Sequence, residues 1–135
     1  MAEFFKWDAN VFGLKVKEMD DEHQELIRLM NKLFDSNQNN QPFNEIKKHV
    51  DALAEYTVKH FADEEKYMEK ISFPGLQTHK IIHQQLLEQF KGYVTDFTKT
   101  QKITDAFFKF LAVWLTSHIK GIDMKYAEHA LKKAS

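Results

Sequence analysis

The sequence predicts an all-α fold: one up-down-up-down four-helix bundle with an N-terminal arm and a short C-terminal helix. Three observations predict it. Four glycines and two prolines are the only strong breakers in 135 residues, so elements run long. Apolar residues recur at spacings of three and four in four successive stretches, the period of an amphipathic helix, and nowhere alternate as in a strand. Short polar breaks separate the stretches, and short connections place consecutive helices antiparallel.

Residues 1–18 form the arm. Phe4, Phe5, Trp7, Val11 and Phe12 have no clean period but are too apolar for a free tail, so they are expected to pack across the bundle. A helix over about 19–36 follows, its acids Asp20, Asp21 and Glu22 placed where a helix N-terminus favours negative charge. Met19, His23, Leu26, Ile27, Met30, Leu33 and Phe34 make its inward stripe. The run Ser36-Asn37-Gln38-Asn39-Asn40-Gln41-Pro42 ends it.

The second helix, about 43–71, turns inward Ile46, Val50, Leu53, Thr57, His60, Phe61, Glu64, Tyr67, Met68 and Ile71. After the turn Ser72-Phe73-Pro74-Gly75, a helix over about 75–98 carries Leu76, His79, His83, Leu86, Leu87, Phe90, Val94 and Phe97. A polar break over 98–102 leads to the fourth helix, about 104–120, with Phe107, Phe108, Leu111, Trp114, Leu115, His118 and Ile119 inward. Gly121 is expected to interrupt it, and a short helix over about 122–132 closes the domain.

Composition narrows the function. A net charge of −1 argues against a nucleic-acid surface and a polybasic membrane surface. No apolar run approaches the roughly 18–20 residues that span a bilayer. The N-terminal residues lack the pattern of a signal peptide, and a cytoplasmic location is expected. Without cysteine there is no disulfide, zinc–thiolate site or iron–sulfur cluster. A bound metal would be held by imidazole and carboxylate, a set that suits iron, manganese or zinc.

Seven histidines are many for this length, and five of them replace aliphatics on apolar stripes. On an α-helix, groups four apart share a face. His60 and Glu64 therefore point one way, and so do His79 and His83, with His23 and His118 on the two remaining helices. A lone inward histidine is ordinarily a core imidazole with a hydrogen-bond partner. Five of them on four facing helices, with two carboxylates, would cost several kcal/mol for each unpaired charge. A metal centre removes that cost. Asp123 follows His118 by five residues, a rotation of about 500° on a regular helix, so both reach one centre only if the helix ends or distorts between them. His49 and His129 have polar neighbours and no inward partner at matching spacing, and are expected at the surface.

In order and spacing, His23, His60-x-x-x-Glu64, His79-x-x-x-His83 and His118-x-x-x-x-Asp123 resemble the ligand pattern of the hemerythrin family. The resemblance covers nearly the whole chain, and the aromatic arm is similar to that of the single-domain bacterial members, the bacteriohemerythrins. It implies a non-haem centre of two iron ions, bridged by oxo or hydroxo, that binds O2 reversibly. By the matching motif, His79, His83 and His118 would ligate one iron, His23 and His60 the other, and Glu64 and Asp123 would bridge them. Leu115, three residues before His118, holds the position that lines the family's O2 pocket, with Trp114, Ile27 and Phe61 as further lining candidates.

Ligand counting agrees. Two octahedral irons offer about twelve positions. A shared oxygen bridge and two bridging carboxylates take about six of them, and five histidines leave one open for a small ligand. Such an imidazole-rich set favours carrying O2 over splitting it, in contrast to carboxylate-rich di-iron bundles. The expected function is O2 carriage, storage or delivery rather than catalysis, with an O2-accepting protein of unknown identity. A di-iron enzyme processing nitric oxide or peroxide, or an iron storage or sensing protein, is the alternative.

Overall fold

The computed structural model describes residues 5–134, so the expectation for Phe4 lies outside the described residues. Among them the chain is helical throughout, in the order α1 (Ala9–Phe12), α2 (Lys17–Gln38), α3 (Phe43–Lys70), α4 (Leu76–Thr100), α5 (Asp105–Ser117), a π-helical turn (His118–Asp123) and α6 (Met124–Ala134).

The arm is more structured than its sequence suggests. Asp8 caps α1 by accepting from the Asn10 amide, and the Asn31 side chain clasps Phe5 through both backbone groups, each at 2.8 Å. Phe12 is buried and Phe5 and Trp7 pack against the core, but Val11 is exposed, contrary to expectation, because α1 turns only one face inward. Leu14, hidden in an irregular stretch without period, is buried instead.

Expected and observed helix ends differ by a few residues, as frayed ends do. α2 begins earlier, at Lys17, which leaves Asp20 in its first turn, where its Oδ1 accepts from the Leu14 amide. α4 runs on to Thr100 and stops where Gln101 takes a left-handed conformation.

The C-terminal third departs most. Gly121 does not interrupt the helix. From Asp105 to Ala134 the chain stays helical, and the distortion is a widened turn over His118–Asp123, in which the Met124 amide reaches back five residues to the Ile119 carbonyl. Such i→i+5 turns are rare and cluster at functional sites. Leu26, Met30, Leu33, Val50, Leu53 and Leu111, all inaccessible to solvent, fill the centre of the bundle. None of the described helices is long and apolar enough to cross a membrane.

Candidate metal centre

The apolar stripes of α2, α3, α4 and α5 converge on a polar cluster inside the bundle. His23, His60, Glu64, His79, His83, His118 and Asp123 are each 5% exposed or less. Their donor atoms fall into two groups, each within a 4.8 Å span: Glu64, His79, His83, His118 and Asp123 in one, His23, His60 and Glu64 in the other. Glu64 belongs to both. Asp123 also reaches across, its Oδ1 at 3.0 Å from Nε2 of His79 and of His118, and its Oδ2 at 3.1 Å from His23 Nε2.

The widened turn explains how Asp123 gets there. In a turn closed by i→i+5 bonds, the fifth residue returns close to the face of the first. Asp123 thus comes back beside His118, where a regular helix would have carried it well to one side.

Several atoms in the cluster are arranged as no metal-free core would be. His79 Nε2 and His118 Nε2 face each other at 3.3 Å, and both point at Asp123. Among the described residues, His23 Nδ1, buried, has no hydrogen-bond partner, and His23 Nε2 and both Asp123 oxygens meet their neighbours at 3.0–3.1 Å without well-aligned hydrogen bonds. Buried polar atoms so poorly satisfied are costly and uncommon. Imidazole nitrogens and carboxylate oxygens converging on shared points are the donor set that iron or zinc takes, so the residues present fit such ions.

Charge is shared tightly in the metal-free cluster. Burial opposes a charge on His60, but Glu64 and Glu22 outweigh it and raise its pKa to about 10. For Glu64 and Asp123 burial favours the neutral acid, yet the surrounding imidazoles hold both carboxyls below their ordinary range. A metal would take over the role of those protons.

Behind the cluster lies a set of partners that sequence spacing did not reveal. His60 Nδ1 is 2.6 Å from Glu22 Oε1, and His83 Nδ1 is 2.9 Å from Glu65 Oε2. With the outer nitrogen donating to a carboxylate, Nε2 is left free to face the centre. Glu22 and Glu65 each adjoin a cluster residue in sequence, so they sit about 100° around their helices and reach the next helix rather than the interior. Tyr126, fully buried on α6, donates to Glu64 Oε2 at 2.7 Å. Its phenol is pushed well above its usual range, by burial first and by Glu64 and Asp123 next.

The four lining candidates are all buried, Leu115 at 1%, Phe61 at 3%, and Ile27 and Trp114 at 5%. Phe61 lies flat on His83, with centroids 3.8 Å apart and planes 3° apart, and Trp114 meets Phe61 edge-on at 5.9 Å. Neither His49 nor His129 joins the cluster. His129 is not a free surface residue, however: it is half-buried, its Nε2 donates to the Ile71 carbonyl at 3.2 Å, and its ring packs on Phe73. His49 is half-buried as well. His129 thus covers the junction of α6 with the end of α3, which neighbour polarity alone does not show.

The chain as a whole is similar to known proteins. Residues 14–130 match the model of the hemerythrin HHE cation binding domain. The chain is 33% identical to a myohemerythrin of Riftia pachyptila over 90% of each chain. It is 32% identical to a bacteriohemerythrin of Methylococcus capsulatus, over 89% of this chain and 92% of the relative. The wild-type crystal structure of a hemerythrin, 30% identical, superposes with a TM-score of 0.84 over 92% of this chain and 95% of the other.

Proposed function

Because the chain belongs to the hemerythrin family, we propose that it binds O2 reversibly at a non-haem centre of two iron ions, as an O2 carrier, store or donor and not as an enzyme. The observation that carries this reading is the division of seven buried side chains into two groups that share Glu64. His79, His83 and His118 would hold one iron, His23 and His60 the other, with Glu64 and Asp123 common to both. When bound, the iron pair would supply the electrons that make O2 binding possible.

The chain's own residues do the rest. The second group has one imidazole fewer, so a metal held there would have a position free for a small ligand. Leu115, Trp114, Ile27 and Phe61, all buried, would wall the centre against water and proton donors, which would keep the bound gas from leaving in a reduced form. Glu22 and Glu65 fix the tautomer of one imidazole in each group. The absence of a spanning helix among the described residues fits a protein working in the cytoplasm.

The test is a spectrum of iron-loaded protein taken under O2, under vacuum and under O2 again, alongside elemental analysis. About two irons per chain, and an O2-dependent band that disappears and returns, are the expected results. Rapid turnover of nitric oxide or peroxide without a stable adduct would favour an enzyme. Ready surrender of iron to a mild chelator would favour storage or sensing.

A further inference from the structure

A continuous line of aromatic rings leads from the metal-ligand cluster to the surface. Phe61 lies flat on His83 at 3.8 Å, Trp114 meets Phe61 at 5.9 Å, Phe110 stacks on Trp114 at 6.2 Å, and Tyr93 packs on Phe110 at 5.0 Å. The inner rings, Phe61 and Trp114, are buried, whereas Phe110 and Tyr93 are half-buried. The outer end opens into a groove of ≈ 1100 Å³ between α4 and α5, walled by Leu86, Tyr93, Phe110, Val113 and Trp114.

We propose that Trp114, Phe110 and Tyr93 form a relay that carries oxidising equivalents from the metal centre to the α4/α5 groove, where a soluble thiol quenches them. This rests on the reading of the site as a di-iron centre that handles O2. Such a centre is exposed to hydrogen peroxide, and peroxide at a buried metal destroys the ligands that hold it unless the oxidising equivalent escapes.

Tryptophan and tyrosine are the side chains whose one-electron oxidation lies within reach of peroxide chemistry, and here they stand at the two ends of one stack. The buried Trp114 can lose an electron and keep its proton, because its Nε1–H has no acceptor among the described residues. Tyr93, half open to the groove, can give its phenolic proton to solvent. The direction is thereby fixed: the electron moves inward and the radical settles at Tyr93.

The balance is simple. Reduction of hydrogen peroxide to two waters takes two electrons and two protons. Both electrons leave Tyr93 in turn, passing inward through Phe110 and Trp114, and each departure releases one phenolic proton and leaves a neutral phenoxyl radical. After each, a thiol in the groove returns a hydrogen atom to Tyr93, and the two thiyl radicals join as a disulfide, so one peroxide and two thiols give two waters and one disulfide.

A rival exit exists. Tyr126 packs on the half-buried Tyr67 at 5.6 Å. To be oxidised, however, Tyr126 must pass its proton to Glu64, and a carboxylate committed to metal is a poor base.

The test treats iron-loaded protein with hydrogen peroxide and a radical-trapping nitrone, then maps the adducts by peptide mass spectrometry. Iron content and vacuum-reversible O2 uptake are measured first on the same sample. An adduct at Tyr93 is expected in the iron-loaded protein and not in metal-free protein treated alike. Trp114→Phe should remove that adduct, and Phe110→Leu, which alters only a half-buried ring, should do the same if the tryptophan variant folds poorly. Tyr93→Phe should keep iron and O2 uptake but shift oxidation inward to Trp114. Equal labelling of Tyr93 with and without metal, labelling undiminished by either break in the stack, or labelling at Tyr67 instead overturns the relay while leaving the O2 reading intact. A chain that fails the iron and O2 checks overturns both.

Discussion

Tyr126 on α6 donates its phenolic hydrogen to Glu64 on α3 at 2.7 Å, joining the C-terminal helix to the one carboxylate common to both donor groups. The bond occupies one lone pair of Oε2 and leaves another for a metal. Replacing Tyr126 by Phe deletes the donor and little else. Hydrogen bonds to charged groups contribute about 1.5–3 kcal/mol, so urea melts of the metal-free protein should show a loss of that order. A chelator should also strip iron faster, because Glu64 then loses the one hydrogen bond that comes from outside the donor cluster. Unchanged melts would mean that the bond contributes nothing.

Glu22 and Glu65 should matter to metal affinity in proportion to what is removed. Glu22→Gln or Glu65→Gln keeps an acceptor for the imidazole but drops the charge, whereas Ala drops both. Loss of such outer partners typically costs about 10–100-fold in metal affinity, so competition against a chelator should rank parent, Gln and Ala in that order. A series in which all three bind equally would reduce both carboxylates to surface groups.

His49→Ala and His129→Ala should leave iron content unchanged, since neither ring belongs to the cluster. They should differ in stability. His129→Ala leaves the Ile71 carbonyl without its donor and frees α6 from the end of α3, at about 1 kcal/mol. Thermal melts distinguish the two, and iron lost from either variant would mean that the site extends beyond the seven clustered residues.

What the sequence disclosed, and what it hid, follows the physics of each feature. The bundle was legible because a buried helical stripe imposes its period on every third and fourth residue, as Ile46, Val50 and Leu53 show. The cluster was legible because histidines on that stripe, such as His60 and His79, have no business in an apolar core without partners. Leu14 and α1 were not, because an irregular arm imposes no period. The widened turn was only half legible. The spacing from His118 to Asp123 demanded a distortion, but Gly121 drew attention as a break when the backbone instead took one residue more per turn. Glu22, Glu65 and Tyr126 were hidden because polar residues one position away from a ligand look like a solvated face.

The metal-free protein should lose stability as pH rises above neutrality. His60 has a folded pKa of about 10, raised above the ordinary value near 6.5. A raised pKa means that the folded state holds the proton more tightly. The resulting stabilisation is complete below about pH 6.5 and fades as pH climbs to about 10. Glu64 and Asp123 have lowered values, so their contribution fades in the opposite direction, as pH falls below the ordinary carboxyl range. Melting temperature should therefore peak in mildly acidic solution. With iron bound, the proton on His60 is displaced and the alkaline decline should vanish. A metal-free protein that melts equally at pH 6.5 and pH 9.5 would contradict the assignment of His60.

Leu115 gives the sharpest test of the pocket. It lies one helical turn before His118 and Ile119 and is 1% exposed, so it is either a wall of the ligand pocket or plain packing. Leu115→Ser removes most of its bulk and adds a hydroxyl, which makes the space polar enough to hold water. Packing loss alone should cost about 2–4 kcal/mol, as it would for any leucine hollowed out of a core. A pocket wall predicts more: iron content and helicity kept, but an oxygenated state that decays faster in air because a proton donor now stands beside the bound gas. Leu111→Ala, one turn further from His118 and equally buried, carries the packing loss without the donor. The comparison is the decay rate of the oxygen-dependent band at one fixed pH in the two variants. If Leu115→Ser decays no faster than Leu111→Ala, then Leu115 is packing and the pocket has another wall.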